Sequence, residues 1–489
     1  MTISLNRRAI LSGMAAGSAA LPVAASASAM TAVSFQRDHV GLFNGQRVPY
    51  RAVMRHMDVF ADADMPSARF VYTAYVRQPV RASRPVIFLF NGGPIVASTY
   101  LHVGAFGPVR YDPPKDVTAP VTSPQAPLAN EDSLLDVADL VFIDPPETGF
   151  SRLHNPADAA RASSDTVDSA LTAAFIRQWV TTENRSASPL YLVGESYGTL
   201  RAANVAGLLA DDLPLSGVAL LGQALNMVET TQRRANGLSY AVNLPALTAI
   251  AAYHGSIPGS EDIRARIEES WAFAMGDYVN ALRRLNHLTQ VEREAIARRL
   301  QDLSGISAGY YLANRLVIPK MTFTRELFRA EGLAVGVYDG RYKGPASEGD
   351  PYNKVNALIP PLMAQHLRDN LGVTLDMADY RAAAPRVAPW QYQPTGGAGG
   401  PFDDYDYDRG IARAMQAKAD FRLLIGTGIY DTTTTLGAAR YLLAQATYPV
   451  ERVVMKEYEG GHMAYSNPDA RTEMARDLRA FVTASAVAA

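Results

Sequence analysis

Four stretches of this sequence share a design that dictates the fold: a continuous apolar run of strand-forming residues that stops at a polar loop. They are "RPVIFLFNGGP" (84–94), "ADLVFIDPP" (138–146), "PLYLVGES" (189–196) and "SGVALLGQ" (216–223). A strand that is apolar on both faces must be covered on both faces, which is the situation of a parallel sheet between helices. "DFRLLIGTGIYD" (420–431) and "VERVVMKEYEGGHMAY" (450–465) repeat the design late in the chain. "ARFVYTAYVR" (68–77) alternates instead, which predicts a strand with one solvated face. Between 154 and 185 the period is helical, and Val167, Leu171, Ala174, Phe175 and Trp179 share one face. Strands alternating with helical crossovers predict an α/β fold, a mostly parallel central sheet with helices on both faces.

The pattern breaks from 225 to 395, where the run from 259 to 300 is helical and charge-rich with no clear buried strand. This segment is read as a largely helical inserted cap. It divides an α/β core into a first part, 30–224, and a second part, 396–489. Trp271, Tyr278, Tyr310 and Tyr311 are candidates for shaping a pocket, or equally for the cap's own core. "TGGAGGPFDDYDYD" (395–408) reads as an exposed loop. "DARTEMARDLRAFVTASA" closes the chain as an amphipathic helix.

Composition narrows the chemistry. The 489 residues hold no cysteine, which excludes disulfides, thiolate-bound zinc and a cysteine nucleophile. A net charge of -2 gives no reason to expect a nucleic-acid or lipid-surface partner. The eight histidines show no tight ligand spacing, and neither His-Glu-x-x-His nor a nucleotide-cradling loop occurs, so no metal and no cofactor is expected. At the N-terminus, Arg7 and Arg8, a weakly apolar run and Ala27-Ser28-Ala29 form the pattern of a twin-arginine export signal over 1–29. Its Gly, Ser and Ala content and Pro22 argue against a membrane anchor, so a soluble periplasmic or extracellular protein is expected.

"PLYLVGESYGTLR" (189–201) places Gly194 and Gly198 around Ser196 at a strand-to-helix junction. A sharp elbow there requires small neighbours and projects a serine hydroxyl. Such a serine needs a base, and the base an orienting acid. Parallel sheets carry functional groups on loops at strand C-termini, so the partners belong after later strands. Of the histidines beyond Ser196, His254, His287 and His366 fall in helical sequence, whereas His462 follows a strand and two glycines. Asp431 ends the preceding strand's loop, while Asp408 and Asp420 lie before that strand. The order Ser, Asp, His is that of an α/β-hydrolase. The amides of Tyr197 and Gly93 are the expected oxyanion hole, with Asn91 as a possible side-chain donor.

Six motifs in order, "NGGP", "GAFGP", "ADLVFIDPPETGFSR", "GESYGTLRAA", "GIYD" and "YEGGHMAY", resemble the serine carboxypeptidases of the α/β-hydrolase fold, in their bacterial branch, over roughly 45 to 485. The resemblance implies Ser196, Asp431 and His462 as the catalytic triad, with Gly93 and Tyr197 as the oxyanion hole. It also implies Asn91, Gly92 and Glu195 as the group that binds the free carboxylate of a peptide's last residue. A protonated Glu195 would donate a hydrogen bond to that carboxylate, giving activity best in acid.

Three positions depart from the family pattern. Ile95-Val96-Ala97-Ser98 stands where Gly-Ser-Ser or Gly-Cys-Ser is usual, His102 where many members carry a second Glu, and Glu147 where Gly is common. An esterase or acyltransferase with the same triad, and a non-catalytic binding module on this fold, are the alternatives. Side-chain preference and oligomeric state are not encoded in any motif.

Overall fold

The sheet starts at a hairpin whose turn is plain in the sequence. Asn44 and Gly45 both have positive φ, 47° and 73°, the conformation that a two-residue hairpin turn requires and Asn-Gly favours. They join β1 (Ser34–Phe43) to β2 (Gln46–Phe60), paired in register from Phe43↔Gln46 to Ser34↔Arg55. The computed structural model describes residues 32–62, 64–122, 126–392 and 404–486. The export signal expected over 1–29 lies outside them, as does the Gly-rich stretch up to 403.

The remaining main strands are β3 (Ser67–Arg77), β4 (Val86–Phe90), β5 (Asp139–Ile143), β6 (Leu190–Glu195), β7 (Leu215–Leu221), β8 (Arg422–Gly428) and β9 (Val453–Tyr458). Their spatial order is β1-β2-β3-β5-β4-β6-β7-β8-β9, with the short strand Arg152–Leu153 beside β3. Pairing is antiparallel from β1 to β5 and parallel from β5 onward.

Helices cover both faces. Ile87 and Leu89 point into a core closed by the last helix, by Ile359–Leu371 and by the wide helical segment Tyr100–Phe106. Phe88 and Phe90 point into a second core under α1 (Asp165–Thr182) and α2 (Tyr197–Leu209). The chain has the α/β-hydrolase fold. The expectation of a half-solvated β3 is corrected: every residue from Phe70 to Tyr75 is buried. β3 is an interior strand, with Val71 and Tyr75 in one core and Phe70, Tyr72 and Ala74 in the other.

Between β7 and β8 the chain leaves the sheet and builds a third core from helices that include Gly237–Tyr253, Ile263–Phe273 and Gln290–Ser304. Tyr278 and Tyr311 are buried in it, tied to Leu316 O and Ser304 Oγ. The segment also holds a short antiparallel pair, Leu333–Val335 with Lys343–Pro345, where no buried strand was expected. Tyr407, read as part of an exposed loop, is buried against the helical face of the second core.

The returning chain crosses the sheet's loops as a strap. Ala97 N donates to Ala382 O, Ala384 N to Ile95 O, and Gly149 and Arg381 exchange both backbone hydrogen bonds. The unusual residues at 95–98 and 147 are therefore where this strap docks. Glu147, at φ 69°, ion-pairs with Arg381 and accepts from Leu153 N. Positive φ falls on Gly93 (107°), and Ile95 is not asked to adopt it.

Candidate active site

Ser196 sits between β6 and α2 with φ 58° and ψ −129°, a conformation costly for a residue with a side chain. The close approach around it explains the flanking glycines. A Cβ on Gly194 would lie 2.1 Å from Gly198 O, and one on Gly198 would lie 2.8 Å from Phe90 O. Ser196 N donates to Leu221 O at 2.9 Å, which hangs the elbow on the tip of β7. The next residue, Gly222, lies against the ring of His462, since a Cβ there would be 3.3 Å from both Nδ1 and Cε1. One strand tip thus touches both the serine and the imidazole.

His462 is 6% exposed and Asp431 is fully buried. Nδ1 of the ring donates to Asp431 Oδ2 at 2.8 Å. The carboxylate also accepts from Thr433 N (2.6 Å), Thr433 Oγ1 (2.6 Å), Thr434 N (3.2 Å) and Thr434 Oγ1 (2.6 Å). Burial opposes its charge, but His462 and these donors outweigh it and hold Asp431 down at about 2. Burial likewise opposes the imidazolium, yet the charge and hydrogen bond of Asp431 raise His462 above its ordinary value. The ring's hydrogen bonds all fall on Nδ1. Among the described residues Nε2 and Ser196 Oγ are not joined by a hydrogen bond, a contact that unliganded sites commonly close only on substrate.

Gly92 and Gly93 lie beside the serine elbow. A Cβ on Gly92 would be 2.5 Å from Tyr197 N, so only glycine lets this loop reach the elbow's amide. The loop is held by Arg201, which is fully buried. Its guanidinium donates to Asn91 O (2.7 Å) and Pro94 O (2.9 Å) and pairs with Asp168 at 2.8 Å. Arg201 stands in the quoted "GTLR" but was assigned no role, because its targets are main-chain atoms far away in sequence. Arg201→Leu strands Asp168 as a buried, unpaired carboxylate and is expected to cost about 3–5 kcal/mol, read as a lowered urea midpoint.

Glu195 is 3% exposed. Its Oε2 accepts from Asn91 Nδ2 at 2.6 Å and from Tyr465 Oη at 2.5 Å. Asn91 Oδ1 accepts from Leu101 N at 3.0 Å, so that side chain is turned to Glu195 and fixed from both ends. Burial pushes Glu195 up to about 7, against the opposing pull of His462, Tyr465 and Asn91. His102 is turned away into the core, stacked on Phe142 with its Nε2 2.6 Å from Tyr75 Oη. His366 reaches the same hydroxyl at 2.6 Å, His254 binds Gly340 O, and His287 is exposed, so none of them joins the site.

The long insertion supplies a prop that the sequence reading missed. Tyr338 O accepts from His462 N (2.5 Å), Val337 O from Thr432 Oγ1 (2.7 Å), and Asp339 Oδ2 from Gly461 N (3.1 Å). Among the described residues there is no cluster of three or more metal-ligating side chains, and no helix is long and apolar enough to cross a membrane.

Residues 56–212 match the family model of the serine carboxypeptidases. No curated protein sequence matches the chain. Solved structures that resemble it include a prohormone-processing carboxypeptidase from Saccharomyces cerevisiae, 14% identical, covering 89% of this chain and 91% of that one at a TM-score of 0.49. A proline iminopeptidase from Mycobacterium smegmatis is 12% identical, covering 88% and 99% at 0.38. A thermophilic esterase from Thermogutta terrifontis is 10% identical, covering 88% and 99% at 0.36. The matched span runs from the sheet's second strand through the serine elbow and α2, and over that span the chain is similar to the serine carboxypeptidases.

Proposed function

We propose that the protein is an exported serine-type carboxypeptidase that removes C-terminal residues from peptides through an acyl-enzyme on Ser196, working best in acid. His462 accepts the serine proton as Oγ attacks the last peptide carbonyl, Asp431 holds the ring's tautomer, and the same imidazole then protonates the leaving amine. The amides of Gly93 and Tyr197 receive the oxyanion. Asn91 and Gly92 border the terminal carboxylate while protonated Glu195 donates to it. Export rests on the twin-arginine pattern over 1–29. The inserted segment is read as a cap that borders the substrate pocket, supported by its backbone contacts to the His462 loop.

One observation carries this reading: a fully buried carboxyl beside the serine, raised to about 7 and bonded to Asn91. An ordinary esterase has no use for an acid there that is neutral at low pH. Below pH 7 the neutral form donates to a substrate carboxylate; above it the anion repels the same group.

Glu195→Gln tests it. The amide keeps a donor toward the substrate but cannot ionise, so the fall in kcat/KM above pH 7 should flatten for a blocked dipeptide with a free C-terminus. The neutral residue also removes an influence that raises His462, so the acid limb should move to lower pH. Wild type should prefer the free acid over the dipeptide amide, whose terminus leaves the buried donors unpaired. An unchanged profile, or equal turnover of acid and amide, would favour the esterase or acyltransferase.

The same variant has a stability signature. A carboxyl raised from 4.5 to about 7 on folding weakens the fold progressively as pH climbs between those values, and the loss is complete above them. At pH 8 Glu195→Gln should therefore be more stable than wild type by up to about 3 kcal/mol, with little difference at pH 4.

A further inference from the structure

We propose that Tyr465 is a positioning residue that commits Glu195 to presenting Oε1, and not Oε2, as the proton donor to a substrate's terminal carboxylate. The inference rests on the carboxylate-binding role proposed for Glu195 and adds the residue that orients its proton.

The two oxygens of Glu195 are not equivalent. Oε2 already accepts the Tyr465 hydroxyl at 2.5 Å and the Asn91 amide at 2.6 Å. An sp² carboxyl oxygen has two lone pairs in its plane, and two donors occupy them. A proton can sit on Oε2 only by displacing one of these donors. It therefore sits on Oε1, which accepts no hydrogen bond from another side chain or amide among the described residues. Without the tyrosine, Oε2 would keep one vacant lone pair and the proton would divide between two oxygens facing different directions.

Tyr465 is suited to the task because it stays a donor. Burial and the neighbouring Glu195 hold its phenol well above the ordinary range, so it remains protonated wherever the enzyme works. Its ring is fixed as well as its hydroxyl. It is 3% exposed and packs on Gly104, where a Cβ would come within 3.1 Å of the ring. It stands three residues after His462, in the short turn Ala464–Ser466, so base and proton-orienting hydroxyl move as one piece. His102 is turned into the core, which leaves Tyr465 and Asn91 as the side chains bonded to Glu195.

The groups around Glu195 are Asn91 and Tyr465 by hydrogen bond, His462 and Asp431 by charge, and the phenols of Tyr100, Tyr338 and Tyr352. The phenols are all raised and stay neutral, and Asp431 stays ionised above about 2. His462 is the remaining group that changes charge near neutrality. The tyrosine hydroxyl favours the Glu195 anion, so removing it must raise the pH at which Glu195 ionises.

Tyr465→Phe keeps the ring on Gly104 and deletes only the hydroxyl. For a blocked dipeptide with a free C-terminus, KM at pH 5 should rise several-fold with kcat within about twofold, and the alkaline limb should move up by about one pH unit. Turnover of an ester without a free carboxylate should be unchanged. Carbon NMR of labelled glutamate carboxyls, with Glu195→Gln identifying the resonance, reads the same shift without turnover and on protein shown folded by its melting curve. A limb and a resonance that stay put, or an equal loss on the ester, overturn the proposal. If Glu195→Gln flattens the limb while Tyr465→Phe does not move it, the role of Tyr465 falls and the carboxylate-binding reading stands. If neither variant moves it, that reading falls as well.

Discussion

Replacing Ser196 by alanine is expected to lower peptide turnover by roughly a million-fold and to abolish labelling by a fluorophosphonate. The size follows from what the elbow does. Its strained backbone, φ 58°, holds Oγ at the head of α2, beside the amide of Tyr197 and the loop of Gly92 and Gly93 proposed to receive the developing charge. Alanine leaves that charge-stabilising frame in place and removes only the atom that attacks, so what survives is the small rate due to binding and the oxyanion site. Residual turnover above about one per cent of wild type would place the nucleophile elsewhere. Failure of folded wild type to label at Ser196 would favour a binding module over an enzyme.

The second large effect belongs to Asp431→Asn, with an expected loss of about ten-thousand-fold in kcat. Asp431 is surrounded by donors: the imidazole Nδ1–H, two threonine hydroxyls and two amides. An asparagine brings a donor of its own. If its NH₂ faces His462, the ring must accept on Nδ1, carry its proton on Nε2 and lose the lone pair that takes the serine proton. If it faces Thr433 and Thr434, it meets their donors head-on. Either way the base is disarmed while the serine stays intact. Slow but measurable fluorophosphonate labelling, recovering at high pH where hydroxide can take the serine proton in place of the imidazole, is the accompanying result. A variant within tenfold of wild type would show that another acid orients His462.

What the sequence makes legible here depends on how local the determining interaction is. β4, β5, β6 and β7 announce themselves because burial on both faces writes a continuous apolar run, and Asp431 and His462 stand out because each ends such a run. β3 misleads because Arg69 and Thr73 break its apolar run, and Thr73 is nonetheless buried at 5% exposure. The β1–β2 hairpin had its signal in Asn44-Gly45, which needed only to be read. Arg201, Tyr338, Asp339 and Tyr465 were out of reach for a different reason. The main-chain partners of Arg201 and the carboxyl that Tyr465 meets lie 107 to 270 positions away, and main-chain atoms are recorded by no residue pattern. The departures at Ile95 and Glu147 were visible, but their meaning was not, since the strap they bind comes from 380–392.

The prop at Val337–Asp339 has a bearing on how such a protein can diversify. The loop that carries His462 is braced by the long insertion, so the insertion supports the mounting of the proposed base. A chimera carrying a different insertion would keep the sheet, the elbow and Asp431, but would need a carbonyl of its own in the place of Tyr338 O to anchor the backbone of His462. Changes in substrate range on this scaffold would have to come from side chains on the existing insertion, with its framework kept.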